Sequence, residues 1–354
     1  MATIRDVAAL AGVSVATVSR VLNGNCPVSE QKRERVMQAV AELNFKPSIL
    51  GRNLGRSVNR TILIVTSATS GMLFTETVRG INEMAESMGF DLLMAYLPQR
   101  SGVPQSTSWN RCLEYLEGGL AGGVILLGMS AVQAVTSEAV AGIPVVQCSE
   151  TITDRFPNAV TYDNARAVYE LTQRLLAQGR RRFAFAFCRK SFETEPSRFA
   201  VEREVGMRRA LEEAGAAPHP ELNVCCIQRM EGDEELRYEP AEETMQFYAQ
   251  LPPEERPDAI ICAYDTLAVA CVNTLRRAGI RVPEDIAVTG FDDSEVALLS
   301  DPKLTSVHQP GREMGREAMR LLGERIAGER ADGVTMMLPC RIVERGSTRA
   351  VQPE

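Results

Sequence analysis

Two histidines in 354 residues leave little for an enzyme that moves protons through imidazole. No nucleophile elbow, metal-binding pattern or dinucleotide fingerprint is present, so hydrolytic, metal-assisted and nicotinamide chemistry all lack their usual residues. The nine cysteines include no CxxC pair: Cys225 and Cys226 are adjacent, and Cys112, Cys148, Cys188, Cys262 and Cys271 sit inside apolar segments. That distribution argues against a zinc site and a disulfide framework, and reads as small buried hydrophobes. Long apolar runs are missing too. Those at 61–65 and 123–127 are strand length, far short of a membrane span. Near the start, Arg5 and Asp6 interrupt the unbroken apolar stretch that a secretory signal needs, which points to the cytoplasm. The expectation is a chain that is no enzyme, holds no cofactor or metal, and has no membrane partner.

What is present suits a globular protein: 45% hydrophobic and 24% charged residues. The length exceeds that at which one core keeps growing, so two or three domains are expected. The net charge of −7 is unevenly spread. Residues 1–60 carry nine Lys/Arg against four acids, a balance of +5, while the remainder stands at −12. A basic head on an acidic body suggests that the head alone meets a polyanion.

The head has the marks of three short helices. Thr3 and Asp6 form a capping-box-like start, and Ile4, Val7, Ala8 and Ala11 give one apolar stripe. Gly12 stops that helix, because glycine tolerates the left-handed backbone just past a helix end. Ser14 can cap a second helix over 15–22, and a third begins at Ser29 with Val36, Val40 and Leu43 inward. Helix, tight glycine turn, helix is the helix-turn-helix plan. On the second helix Val18, Val21 and Leu22 face inward. Val15, Ala16, Ser19 and Arg20 are left outside, with Thr17 at the boundary. Small residues at 15 and 16 permit close approach to a base edge, and Arg20 has the fork that guanine O6 and N7 accept.

From residue 61 the rhythm changes to strands alternating with helices. Strands are expected at 61–67, 90–97, 122–128 and 143–148, and again at 181–187, 223–228, 258–264 and 285–293. A helix is expected near 75–88, with loops carrying the residues before it. Two similar halves imply two doubly wound parallel-sheet lobes that bind ligands near the carboxyl ends of the strands. Chain crossings between lobes are expected near 160–163, 290–292 and 307–310. GGLAGG at 118–123 precedes a strand, so it reads as a helix-ending turn and not a phosphate loop.

The runs TIRDVAALAGVSVATVSRVLNG and VSEQKRERVMQAVAELNFKPS resemble the DNA-binding head of the LacI/GalR family of bacterial transcription regulators. The closing pattern GFDD, DPKLTSVHQP, GREMGREAMRLL and RIVERGSTRA resembles the same family, so the likeness spans residues 2–349. It implies an all-α helix-turn-helix head plus an α/β core of two doubly wound, periplasmic-binding-protein-like lobes. The boundaries set on this basis are 1–47 for the head and 48–60 for the hinge. The N-terminal lobe takes 61–160 with 311–338, and the C-terminal lobe takes 161–310 with 339–354. Base reading is assigned to Val15, Ala16, Thr17 and Arg20, and phosphate contact to Thr3, Ser14, Ser19, Asn23, Arg52 and Arg56. The family's minor-groove wedge maps onto Leu54. Gly51 and Gly55 each cost a helix roughly 1 kcal/mol, so by itself the segment reads as a flexible linker, and the hinge helix that orders on DNA is what the resemblance implies.

For the effector, the resemblance assigns Leu73, Phe74 and Thr75 after the first strand, then Asp163, Arg203, Tyr264, Asp265 and Asp292. Arg203 opens the family pattern R-x-x-G-x-x-x-A-L with Gly206, Ala210 and Leu211. Asp265 reads equally as a helix N-cap, and Asp163 with Asn164 equally as hinge hydrogen bonding. The implied function is a sequence-specific repressor with two partners, double-stranded operator DNA and a small-molecule effector, a sugar or nucleoside held between the lobes. The hinge and tail look closest to a cytidine-responsive branch. No heptad tail follows Arg349, which favours a homodimer over a tetramer. The alternative is a solute-binding protein for transport, which would need a signal peptide and no basic head.

Overall fold

The computed structural model describes residues 2–23, 28–45, 59–67, 71–97, 105–136, 138–149, 153–190, 197–216, 223–229, 239–329 and 333–349. The hinge residues Arg52, Leu54 and Arg56 lie outside this set.

Three helices make the head: α1 (Ile4–Ala11), α2 (Val15–Asn23) and α3 (Glu30–Glu42). Their own small core is Val7, Ala8, Ala11, Val18, Val36 and Ala39, with Val21, Leu22, Val40 and Leu43 packed half-buried around it. The capping box forms as expected. Thr3 Oγ1 accepts from the Asp6 amide at 3.4 Å, and the Thr3 amide donates to Asp6 Oδ2 at 2.7 Å. These bonds hold the Asp6 carboxyl below its ordinary range. Gly12 turns the chain at φ 60°, ψ 41°, which an L side chain adopts only with strain.

The first lobe is a six-stranded parallel sheet built from β1 (Thr61–Thr66), β2 (Asp91–Tyr96), β3 (Gly123–Leu127), β4 (Val145–Cys148), β5 (Ala159–Tyr162) and β11 (Thr335–Leu338). The order across it is β11-β5-β4-β3-β1-β2. Between these strands run α4 (Met72–Met88), α5 (Gln105–Glu117) and α6 (Met129–Ala134). After α5 the turn at Gly118 and Gly119 returns amides to Glu114 and Leu116, a helix end as expected.

The second lobe opens with α7 (Asn164–Ala177). Then come β6 (Phe183–Lys190), α8 (Arg198–Glu213), β7 (Asn223–Arg229), α9 (Glu239–Gln250), β8 (Ala259–Cys262) and α10 (Asp265–Arg277). It continues through β9 (Ala287–Asp292), α11 (Glu295–Leu299) and β10 (Thr305–His308). Next α12 (Gly311–Ile326) returns to pack on α4 of the first lobe, and β12 (Arg341–Val343) closes the second. That sheet has the order β12-β10-β9-β8-β6-β7, with β12 antiparallel to β10 and the other pairings parallel. Strands such as β1 and β3 are buried along their whole length, which fits sheets covered by helices on both faces.

Two expectations need correction. The chain does not cross between lobes at 290–292: β9 pairs with β8 on one side and β10 on the other, so it stays within the second sheet. The crossings follow Tyr162, His308 and Leu338, the last joining β11 to β12. The first sheet also runs to Tyr162, past the lobe boundary set at 160. Second, the helix after β1 begins at Met72, placing Leu73, Phe74 and Thr75 in its first turn instead of a loop. Gly71 (φ 101°) makes the sharp entry, and its carbonyl takes both the Thr75 amide and the Thr75 hydroxyl.

Candidate DNA-reading helix and effector site

On α2 the apolar spacing sorts the faces as the sequence requires. Val18 is fully buried, whereas Val15, Ala16 and Arg20 are exposed and Thr17 and Ser19 are half-buried. Ser14 caps the helix: its Oγ accepts from the Thr17 amide at 3.2 Å and meets Thr17 Oγ1 at 2.9 Å. The exposed residues at 15 and 16 occupy the first turn, the end that a recognition helix presents to base edges. Thr3 and Ser14 are exposed beside it. The Asn23 side chain falls outside the described set.

The second constellation gathers where the chain passes between lobes. Arg203, on α8, is buried at 3% exposure, and its guanidinium is held on every side. Nε donates to Asn164 Oδ1 at 2.8 Å, Nη1 donates to the Ala263 carbonyl, and Nη2 donates to the Tyr162 hydroxyl at 3.3 Å. Its carbon lies 3.4 Å from the Phe291 ring centroid and 4.8 Å from that of Phe199, a cation between two aromatic faces. Gly206 in the same pattern serves packing: a Cβ there would strike the Ala165 carbonyl of α7, so only glycine lets the two helices come this close. Ala210 and Leu211 are core residues.

Other assigned residues separate on this geometry. Asp292 ends β9 at φ 109°, followed by Asp293 at φ 52°; strained non-glycine backbone of this kind concentrates at functional sites. Asp293 Oδ2 meets His308 Nδ1 at 3.0 Å, and its Oδ1 takes Arg345 Nη2 at 2.5 Å. Asp163 caps α7 through the Arg166 amide (2.8 Å), which is the hinge-bonding alternative. Tyr264 and Phe74 are half-buried against the main core. Asp265 is a correction. It is 1% exposed, its oxygens accept from the Ser294 amide, the Ser294 hydroxyl and the Ser306 hydroxyl, and Tyr264 holds the N-cap position. It ties loops together and offers nothing outward.

Sequence reasoning missed Tyr162, Phe199, Glu202, Phe291 and Gln309. Burial raises the Glu202 carboxyl above its ordinary range, although Asn164 Nδ2 and Arg198 Nε both donate to it. Cys340, at the third crossing, is pushed up to about 12 by burial and feels the charges of Arg203 and Asp163.

A basic helix-turn-helix unit joined to two hinged α/β lobes, with an arginine enclosed at their junction, defines a ligand-responsive DNA-binding regulator. Residues 3–48 match the family described as bacterial regulatory proteins, lacI family, and residues 172–348 match the periplasmic binding protein-like domain. The chain is 31% identical to the HTH-type transcriptional repressor CytR of Escherichia coli K12 over 351 residues, covering 99% of this chain and 97% of that one. It is 34% identical to the HTH-type transcriptional regulator CelR of Thermobifida fusca over 361 residues, 98% of each. Among solved structures, the CelR–cellobiose complex superposes at a TM-score of 0.65 with 31% identity, covering 98% of this chain and all of that one. The lac repressor dimer bound to operator and the anti-inducer ONPF gives 0.77 over 99% of both chains; at 24% identity it speaks to fold alone. The chain belongs to the lacI family of bacterial regulatory proteins and is a DNA-binding transcriptional regulator. No helix among the described residues is long and apolar enough to cross a membrane.

Proposed function

We propose that the protein is a cytoplasmic homodimeric repressor without enzymatic activity, in which an uncharged sugar or nucleoside bound between the lobes controls operator affinity. The observation that carries the reading is the sorting of α2: Val18 buried, with Val15, Ala16 and Arg20 turned out on a positively charged head. The acidic body repels the duplex, so the head and hinge carry the DNA contact. Two heads read two half-sites of a pseudo-palindrome, because a twofold protein reads a twofold site. Two exposed apolar features support pairing of copies. Edge strand β2 presents Leu93, Met94 and Tyr96, and α11 presents Leu298 with Leu299 at 82% exposure. An uncovered apolar edge strand is a template for association.

For the hinge, Leu54 parts a base step in the minor groove, and Arg52 and Arg56 meet phosphates. In the cleft, Arg203 and Asp292 hold ligand hydroxyls, and Phe74 and Tyr264 offer ring faces to a sugar or base. Effector and operator then affect each other's binding by the same factor.

The test is a competition gel shift of the full chain against genomic fragments, with and without nucleosides and sugars. Preference for a discrete fragment, altered by one such compound, is expected; uniform binding to bulk DNA refutes the reading. Arg20→Ala is expected to cost about 1–3 kcal/mol on the preferred site and to relax preference at one base pair. An equal loss on every sequence would show a phosphate contact instead.

A further inference from the structure

Arg203 is held by groups from separate parts of the chain, and one of them differs from the rest. Asn164 and Ala263 belong to the second lobe, as Arg203 does. Tyr162 is the last residue of β5 in the first sheet, and its hydroxyl accepts from Arg203 Nη2 at 3.3 Å. The same hydroxyl accepts from Gln309 Nε2 at 2.8 Å. Tyr162 stands at the start of the first crossing, and Gln309 lies in the second, so one phenol ties both to the guanidinium. It is 2% exposed, and its ring stands 6.3 Å from Phe291, the ring nearest Arg203. Gln309 is 7% exposed, and its Oε1 has no hydrogen-bond partner. Buried amide ends are nearly always paired, and one that is not calls for a group that completes it.

We propose that Tyr162 is the positioning residue of the effector site: it holds Arg203 in register with both crossings until an effector hydroxyl replaces it, accepting from Arg203 Nη2 and donating to Gln309 Oε1. The proposal rests on the cleft being the effector site. A hydroxyl suits the place because it accepts and donates at once, which a carboxylate or an ammonium does not. The ligand class is therefore a neutral polyhydroxy compound, a sugar or the ribose of a nucleoside. Its arrival releases the first sheet from α8 and so reaches both crossings together.

The experiment compares the full chain with Tyr162→Phe, using Tyr169→Phe as control, since Tyr169 bonds to Glu213 on neighbouring α8. In the ligand-free protein, hydrogen exchange of the Arg166 and Ala167 amides and of the Gly311 and Met314 amides is expected to rise together, by about tenfold, in Tyr162→Phe alone. A rise at one crossing only, or at neither, overturns the proposal. Calorimetric titration then uses cytidine as the ribose-bearing probe and cellobiose as the pyranose-bearing one. A probe that binds the parent is expected to bind Tyr162→Phe about tenfold more tightly while shifting operator affinity less; unchanged or weaker binding overturns the exchange. If neither probe binds the parent, the effector reading fails for those chemistries, and the hydrogen-exchange result decides the role of Tyr162 alone.

Discussion

Arg203→Ala abolishes the effector response and, because it breaks the Tyr162 tie that an effector would break, shifts ligand-free operator affinity towards the effector-bound value. The head itself stays folded, because its core of Val7, Ala8, Ala11, Val18, Val36 and Ala39 is built from head residues only. In the cleft the loss is large. Asn164 Oδ1, the Ala263 carbonyl and the Tyr162 hydroxyl each lose a donor, and a gap opens between Phe199 and Phe291. Unmade buried hydrogen bonds and the vacated volume together cost about 2–4 kcal/mol, which a thermal melt of the core reads directly. Arg203→Lys does not restore the response, because an ammonium lacks the planar fork that serves three acceptors while lying between two rings. Anisotropy titration of labelled operator, with and without effector, checks both variants. A normal effector response in Arg203→Ala would remove this residue from the site.

The head was legible because its signals are local. Thr3 with Asp6, the Gly12 turn and the spacing of Val7, Val18 and Val36 each act within a turn or two of helix, and the structure reproduces them. The alternation of strands and helices in the body was legible for the same reason, since period and length survive without knowledge of partners. The false crossing at 290–292 shows where this ends. Gly290 and the two aspartates look like a break, yet β9 is a central strand whose place depends on β8 and β10 on either side. Strand neighbours are a property of the whole sheet.

The cleft was half legible. Arg203 was found through a family pattern, but the groups that hold it come from β5, α7, the β8–α10 junction and β9, and no periodicity connects them. Tyr162 and Gln309 stand 147 residues apart and meet at 2.8 Å. Asp265 failed in the opposite way: an acid at a strand end beside a helix start looks like a ligand contact or a cap. Its role depends on Ser294 and Ser306, which reach it from later segments.

Asp265→Ala therefore carries a comparably large expected loss of stability. Three hydrogen bonds to a buried carboxylate disappear at once, leaving the Ser294 amide and both hydroxyls to find other partners, at a cost of about 3 kcal/mol. Ser306 Oγ also accepts from the Asp293 amide at 3.0 Å, and Asp293 carries His308 and Arg345. The damage thus spreads to the backbone that fixes Asp292, and the effector response weakens with the melting temperature. Asp265→Asn behaves differently, because its carbonyl can keep both Ser294 donors while its amide turns to Ser306 Oγ; its loss stays within about 1 kcal/mol. The pair also separates charge from shape. Burial raises the Asp265 carboxyl above its ordinary value of 3.8, so the folded protein takes up this proton more readily than the unfolded chain. The resulting stability is fully present below 3.8 and is lost as pH rises through the raised folded value. Denaturant melts at stepped pH should show the parent gaining on Asp265→Asn as pH falls from neutrality towards 3.8. A parent that instead loses ground on acidification would mean that the three donors outweigh burial and hold the carboxylate ionised.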